Sequence, residues 1–177
     1  PPVRAFASLT PGRRHLRGQR VLEIGTASGF LCFYMEQQGA EVVAYDLSPE
    51  QSWDIVPFAD DDLMQLTAGR KAHIKRVNNA FWLCHRVYQS KAKMVYGSCY
   101  AIPEGIGTVD VATFGAVLLH VRDPFLALQS ALRLTTRTVI VTDLCAPSLG
   151  DQPYLRFAPD FRTREPKETW WTLTPQV

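Results

Sequence analysis

Short apolar runs alternate with helical patterns from Arg20 onward, each bounded by turn residues, as in an α/β chain. The first unit is the clearest. Val21, Leu22 and Ile24 predict a buried strand, Gly25 to Gly29 a tight turn, and residues 30–38 a helix that stops at Gly39, the usual residue just past a helix C-terminus. Residues 41–45 predict a second strand, ending at Asp46. Two strands joined by one helix lie parallel through a right-handed crossover, so the loop after each strand emerges on the same edge of the sheet. In open α/β sheets that edge binds ligands.

Residues 72–89 predict a helix with Ile74, Val77, Phe81, Leu83 and Cys84 on its apolar side, and with Phe81 and Trp82 pointing inward. Strands follow at 93–96, 109–114 and 138–143. Between the last two, Asp123 is a natural N-cap and Pro124 a natural first residue for a helix reaching Leu134. After Asp143 the chain turns to prolines and aromatics, among them Pro147, Pro153, Pro159, Pro166, Tyr154, Phe157 and Phe161, which reads as a loop-rich cover. The expected fold is a Rossmann-like, doubly wound, mainly parallel sheet with helices on both faces. The chain stops where such a sheet would still need C-terminal edge strands, so it is expected to lack them.

Length and composition narrow this picture. A chain of 177 residues fits one domain, here a core at 20–143 and a cover at 144–177. No apolar run approaches the roughly 18 residues of a membrane span, and no targeting pattern opens the chain, so the expected setting is cytoplasmic with no membrane partner. Cys32, Cys84, Cys99 and Cys145 form no metal-like spacing, which predicts reduced thiols and no metal site. A net charge of +2 does not by itself imply nucleic acid. Two basic patches nevertheless stand out: Arg13, Arg14, His15, Arg17 and Arg20, and a run from Gly69 to Lys93 without an acidic residue.

The end of the first strand carries the most specific chemistry. Glu23, Gly25, Ala27 and Gly29 form E-x-G-x-A-x-G, with Thr26 and Ser28 between them. Glycine there lets the backbone approach a ligand closely and adopt torsions a side chain forbids. A dinucleotide site would want G-x-G-x-x-G to receive a pyrophosphate, but Ala27 and Phe30 hold its second and third glycine positions. S-adenosylmethionine has no phosphate, and an acid in the strand just ahead of the turn suits its amino acid portion. Glu23 sits there. Asp46, followed by Leu47, is placed for a pair of ribose hydroxyls.

These residues carry a family resemblance. The run VLEIGTASGFLCFYMEQQGAEVVAYDLS resembles the first two cofactor motifs of class I S-adenosylmethionine-dependent methyltransferases. FGAVLLHVRDPFLALQSALRLTTRTVIVTD is similar to the fourth-strand region of a bacterial branch related to tRNA wobble-uridine carboxymethyltransferases and uncharacterised methyltransferases grouped with them, as are SWDIVPF and ETWWTLTP. The resemblance implies that Gly25 to Gly29 wrap the methionine portion and Asp46 the ribose. It also implies that Ser98, Cys99 and Tyr100 flank the adenine, and that Gly115 and Ala116 line the sulfonium side. Three departures matter. Ala27 replaces the middle glycine, and Ser98 stands where an acid usually contacts adenine. Leu119 replaces the tyrosine ahead of the histidine, which favours S-adenosylmethionine over its carboxylated form.

For the chemistry itself, a methyl donor already activated as a sulfonium needs mainly alignment and dryness from the protein. His120, just past the fourth strand, is the candidate base for a hydroxyl or amine acceptor. It could equally order the loop before the helix capped by Asp123. Trp53, with Phe58, could cover the adenine, and Trp170 and Trp171 could roof an acceptor pocket; aromatics in such positions are also often core. The leading expectation is a methyltransferase acting on a small-molecule acceptor. A tRNA-modifying enzyme using its basic run, and a non-catalytic cofactor-binding domain, are the alternatives.

Overall fold

The computed structural model describes residues 16–144 and 152–174. Five strands form one parallel sheet: β1 (Arg20–Ile24), β2 (Glu41–Asp46), β3 (Lys93–Tyr96), β4 (Val109–Gly115) and β5 (Thr135–Thr142), in the order β3-β2-β1-β4-β5. The helices are α1 (Phe30–Gln37), α2 (Leu63–Val87) and α3 (Pro124–Leu132).

Alternation along the strands decides which helix covers which face. Val21, Val42, Ala44 and Val111 face α1 and α2 through Cys32, Phe33, Met35 and Phe81. Leu22, Ile24, Val43, Tyr45, Ala112 and Phe114 face the other way, against Leu118 and, on α3, Ala127 and Ala131. Helices thus cover both faces. The chain leaves the sheet edge at β3 and re-enters beside β1 at β4, so the loops after β1 and β4 diverge and open a crevice between the two strands.

The local signals explain the first unit. Gly29 precedes α1 at φ 87°, and a Cβ there would run into the rings of Phe33 and Phe81, so only glycine fits. The cap of α3 is as the sequence reads: Asp123 accepts from the Leu126 N–H at 2.9 Å, with Pro124 at the first position, although the helix ends at Leu132 rather than Leu134.

Four expectations need correction. α2 begins at Leu63, not Ala72, because Asp62 caps it by accepting from the Gln65 N–H at 3.0 Å. At about 1.5 Å per residue, its 25 residues make a rod much longer than the six-residue β2, so its N-terminal half projects past the sheet's C-terminal edge. On the same helix Leu83 is 64% exposed, and Trp82 lies half out, its indole donating to the Tyr96 hydroxyl at 2.8 Å. β5 starts at Thr135, three residues early, through a pairing with Val109 beside a bulge. Finally, the cover contains two antiparallel strands, β6 (Leu155–Phe157) and β7 (Trp171–Leu173), whose partners are too distant in sequence to be read from local pattern. Cys145 and residues 13–15 of the first basic patch lie outside the described residues. No helix among the described residues is long and apolar enough to cross a membrane.

Candidate cofactor pocket

A pocket of about 560 Å3 opens at the C-terminal ends of β1 to β4, a volume within the range of sites that hold a cofactor-sized ligand. Gly25 and Ala27 after β1, Asp46 and Leu47 at the end of β2, Ser98, Cys99 and Tyr100 after β3, and Gly115 and Ala116 at the end of β4 all line it. Trp53 and His120 join them.

The loops after β1 and β4 share an unusual feature. Ala27 at φ 49° and Ala116 at φ 54° both occupy the left-handed region, which an alanine adopts only when its surroundings over-determine it. Asp46 supplies one of those constraints. Its Oδ2 accepts from the Ala27 N–H at 2.7 Å and its Oδ1 from the Leu47 N–H at 2.7 Å. Ala116 is held by donating to the Thr142 carbonyl at 2.7 Å. Burial raises the Asp46 pKa, and the two N–H donors pull it back.

Not every residue of the first motif reaches the pocket. Glu23 is 3% exposed and lies beneath the turn, where Oε2 accepts from the Thr26 hydroxyl at 2.5 Å. Desolvation pushes its carboxyl up to about 8. Thr26, Ser28 and Gly29 likewise shape the turn without lining the pocket. Because Glu23 gains its proton on folding, stability is highest below about 4.5 and declines as pH rises towards 8. Glu23→Gln, which can still accept from Thr26, is expected to remove a slope of up to about 1.4 kcal/mol per pH unit. Thermal melts of both proteins between about pH 5 and 8 check this; parallel curves would refute it.

Trp170 and Trp171 do not line the pocket either. Their indoles are used as clamps: Trp170 donates to the Asp54 carbonyl at 3.0 Å and Trp171 to the Val121 carbonyl at 3.0 Å. The Trp170 N–H donates to the Leu119 carbonyl at 2.8 Å, and Val56 N–H to the Lys167 carbonyl at 2.9 Å. These bonds tie the cover to the loops after β2 and β4. They carry Glu168 into the pocket wall, a residue the sequence reading missed because it lies about 50 positions from its partner His120.

His120 sits in a short 3-10 turn after β4. Its Nδ1 lies 2.5 Å from the Glu168 carbonyl oxygen. A carbonyl only accepts, so Nδ1 carries the proton and the Nε2 lone pair of the neutral ring is the free one. Burial lowers the His120 pKa below its ordinary value, while the charge of Asp143 acts the other way. Nδ1 ties the loop after β4 to the cover, and among the described residues Nε2 has no hydrogen-bond partner.

The wall opposite comes from the projecting half of α2. Arg70, His73, Ile74, Val77 and Asn78 line the pocket, and with Phe81 they repeat at the spacing of one helical face. Ile74, Val77 and Phe81 are the apolar side read from sequence; Arg70, His73 and Asn78 share that face by spacing, the available signal for these three missed residues. Arg70, read from sequence as part of a basic patch, pairs with Glu168 and lies 5.5 Å from the Trp53 ring. Besides Glu168, the acids of the wall are Asp46 and Asp54, the latter accepting from the Tyr100 hydroxyl and from the Arg122 N–H at 2.8 Å. With its guanidinium engaged by Glu168, the pocket favours a cation over a pyrophosphate.

Comparison with known proteins agrees with this geometry. A family model described as a methyltransferase domain matches residues 3–176. The chain belongs to the methyltransferase domain family. No curated protein matches it at a significant level. Among solved structures, this methyltransferase domain is similar in fold to the glycopeptide N-methyltransferase MtfA complexed with sinefungin (TM-score 0.58, 15% identity, 86% of this chain and 57% of that one). An S-adenosylmethionine dependent methyltransferase from Mesorhizobium loti gives a TM-score of 0.55 at 12% identity over 98% of this chain and 64% of its own. Magnesium protoporphyrin IX methyltransferase from Synechocystis PCC 6803 with bound SAH gives 0.52 at 14% identity over 79% and 51%. The methyltransferase domain thus spans between about half and two thirds of the length of these structures.

Proposed function

We infer that this chain is an S-adenosylmethionine-dependent methyltransferase acting on an oxygen or nitrogen of a small-molecule acceptor. The observation that carries the reading is the convergence of Gly25, Asp46, Gly115 and His120 on one pocket at the strand ends of a methyltransferase-family chain. The residues fit the cofactor: a left-handed turn closely approachable by a ligand, carboxylates beside an apolar wall, and no open cation for a phosphate. When bound, the cofactor supplies an electrophilic methyl group on its sulfonium.

The chain's own residues supply the rest. Gly25 and Ala27 with Gly115 and Ala116 form the two lips of the crevice between β1 and β4, and Asp46 offers its remaining lone pairs to ribose hydroxyls. Ser98, Cys99 and Tyr100 flank the adenine side. His120 Nε2 takes the proton that the acceptor oxygen or nitrogen gives up. Trp53, Arg70 and Glu168 wall the acceptor side and exclude water.

Calorimetric titration tests the reading directly. S-adenosylmethionine and S-adenosylhomocysteine are expected to bind, and NADH not to. Absence of heat with both adenosyl ligands on folded protein would overturn it. A tRNA acceptor is the second reading, favoured by the outward face of α2, where Lys75, Arg76 and Arg86 are exposed beside Trp82 and Tyr88. It predicts tRNA binding that weakens steeply with salt, and preference for the carboxylated cofactor would favour it further.

A further inference from the structure

Asn78 is 4% exposed in the middle of α2 and lines the pocket. Asparagine is a poor helix former, and a buried one must place both ends of its amide. Its Nδ2 donates to the Leu47 carbonyl at 3.1 Å. Only the amide nitrogen can donate to a carbonyl, so this bond sets which end is which, and Oδ1 is the other end. Among the described residues Oδ1 has no hydrogen-bond partner. A buried acceptor with no donor is costly, and at a pocket wall it marks a place where a ligand brings the donor.

The position narrows what that donor is. Leu47 directly follows Asp46, so the Asn78 amide is anchored to the backbone one residue past Asp46, where the chain leaves β2, and both residues line the same pocket. Each Asp46 oxygen already accepts one backbone N–H, from Ala27 and from Leu47. A vicinal diol brings two O–H donors to this spot, and an amide oxygen next to a partly committed carboxylate completes the set of acceptors they need. An anionic group would meet two acceptors and no donor. An aromatic edge would leave Oδ1 as it is.

We propose that Asn78 Oδ1 is a second acceptor for the ribose diol of the cofactor, acting beside Asp46. This rests on the S-adenosylmethionine reading above and extends it to a residue on a helix wall that the cofactor motifs do not contain. Asn78 is a binding and positioning residue. Its effect falls on ligands that carry the hydroxyl and vanishes for those that do not.

The test titrates S-adenosylhomocysteine and its 2′-deoxy and 3′-deoxy counterparts into the parent, Asn78→Leu and Asn78→Ala, with melting temperature as the check on folding. The alanine variant, a better helix former, repeats the comparison with less steric change. The expected result is a loss of about tenfold for S-adenosylhomocysteine in both variants, as for one hydrogen bond. At least one deoxy ligand then binds parent and variants within about twofold, because the bond is already missing. Equal loss on all three ligands, or no loss on any, overturns the assignment alone. Failure of the parent to bind S-adenosylhomocysteine overturns the cofactor reading and the assignment with it.

Discussion

His120→Asn is expected to lower kcat by about 10²- to 10⁴-fold, the usual contribution of a positioned general base, while leaving cofactor affinity within about threefold. Asparagine is the informative replacement because its Nδ2 can still donate to the Glu168 carbonyl that Nδ1 meets at 2.5 Å in the parent. The loop therefore keeps its tie to the cover, and only Nε2 is lost. The pH profile gives a second readout. Burial holds the imidazole pKa below its ordinary value, so the parent's kcat is expected to be flat near neutrality and to fall in acid as Nε2 takes up a proton. The variant should lose that acid limb. A kcat near the parent's, with the limb intact, would assign His120 to loop ordering alone.

Asp46→Ala is expected to weaken S-adenosylhomocysteine binding about 100-fold, in the range for removing more than one bond to a charged acceptor. Two effects add. The ribose loses its carboxylate, and Ala27 and Leu47 lose the oxygens that accept their N–H groups at 2.7 Å each. The first of those bonds helps hold Ala27 at a positive φ, so the turn after β1 should relax and present a poorer surface to the ligand. Asp46→Asn separates the two effects, since its amide retains one acceptor for one N–H. The expected order of affinity is parent, then Asn, then Ala, read by calorimetry on protein whose circular dichroism matches the parent. Parent-like binding by a folded Asp46→Ala would remove this residue from the site.

Much of the cofactor half was legible before any coordinates. β1, α1 and β2 are built by local signals: a short, nearly continuous apolar run, Gly29 where a Cβ would strike two rings, and Gly39 closing the helix. Asp123 and Pro124 announced α3 in the same way. Tertiary structure overrode the local reading elsewhere. Glu23 was expected near the ligand, but side-chain alternation puts it on the buried side, under the turn, with Thr26 as its partner. α2 began nine residues early because Asp62, not the apolar pattern, sets its start.

The acceptor side of the pocket shows the division most plainly. By itself the sequence determined the α/β order, the strand-end turn and the position of Asp46 and His120, because each depends on neighbours a few residues away. Only the folded chain decided that Trp170 and Trp171 clamp rather than roof the pocket. It alone brought Glu168 to His120 and Arg70, and buried one end of Asn78 at the pocket wall with no donor among the described residues. Those contacts join residues 31 to 116 positions apart in this chain, and their cost and reward are settled by burial and hydrogen-bond pairing across the fold, which no local pattern encodes.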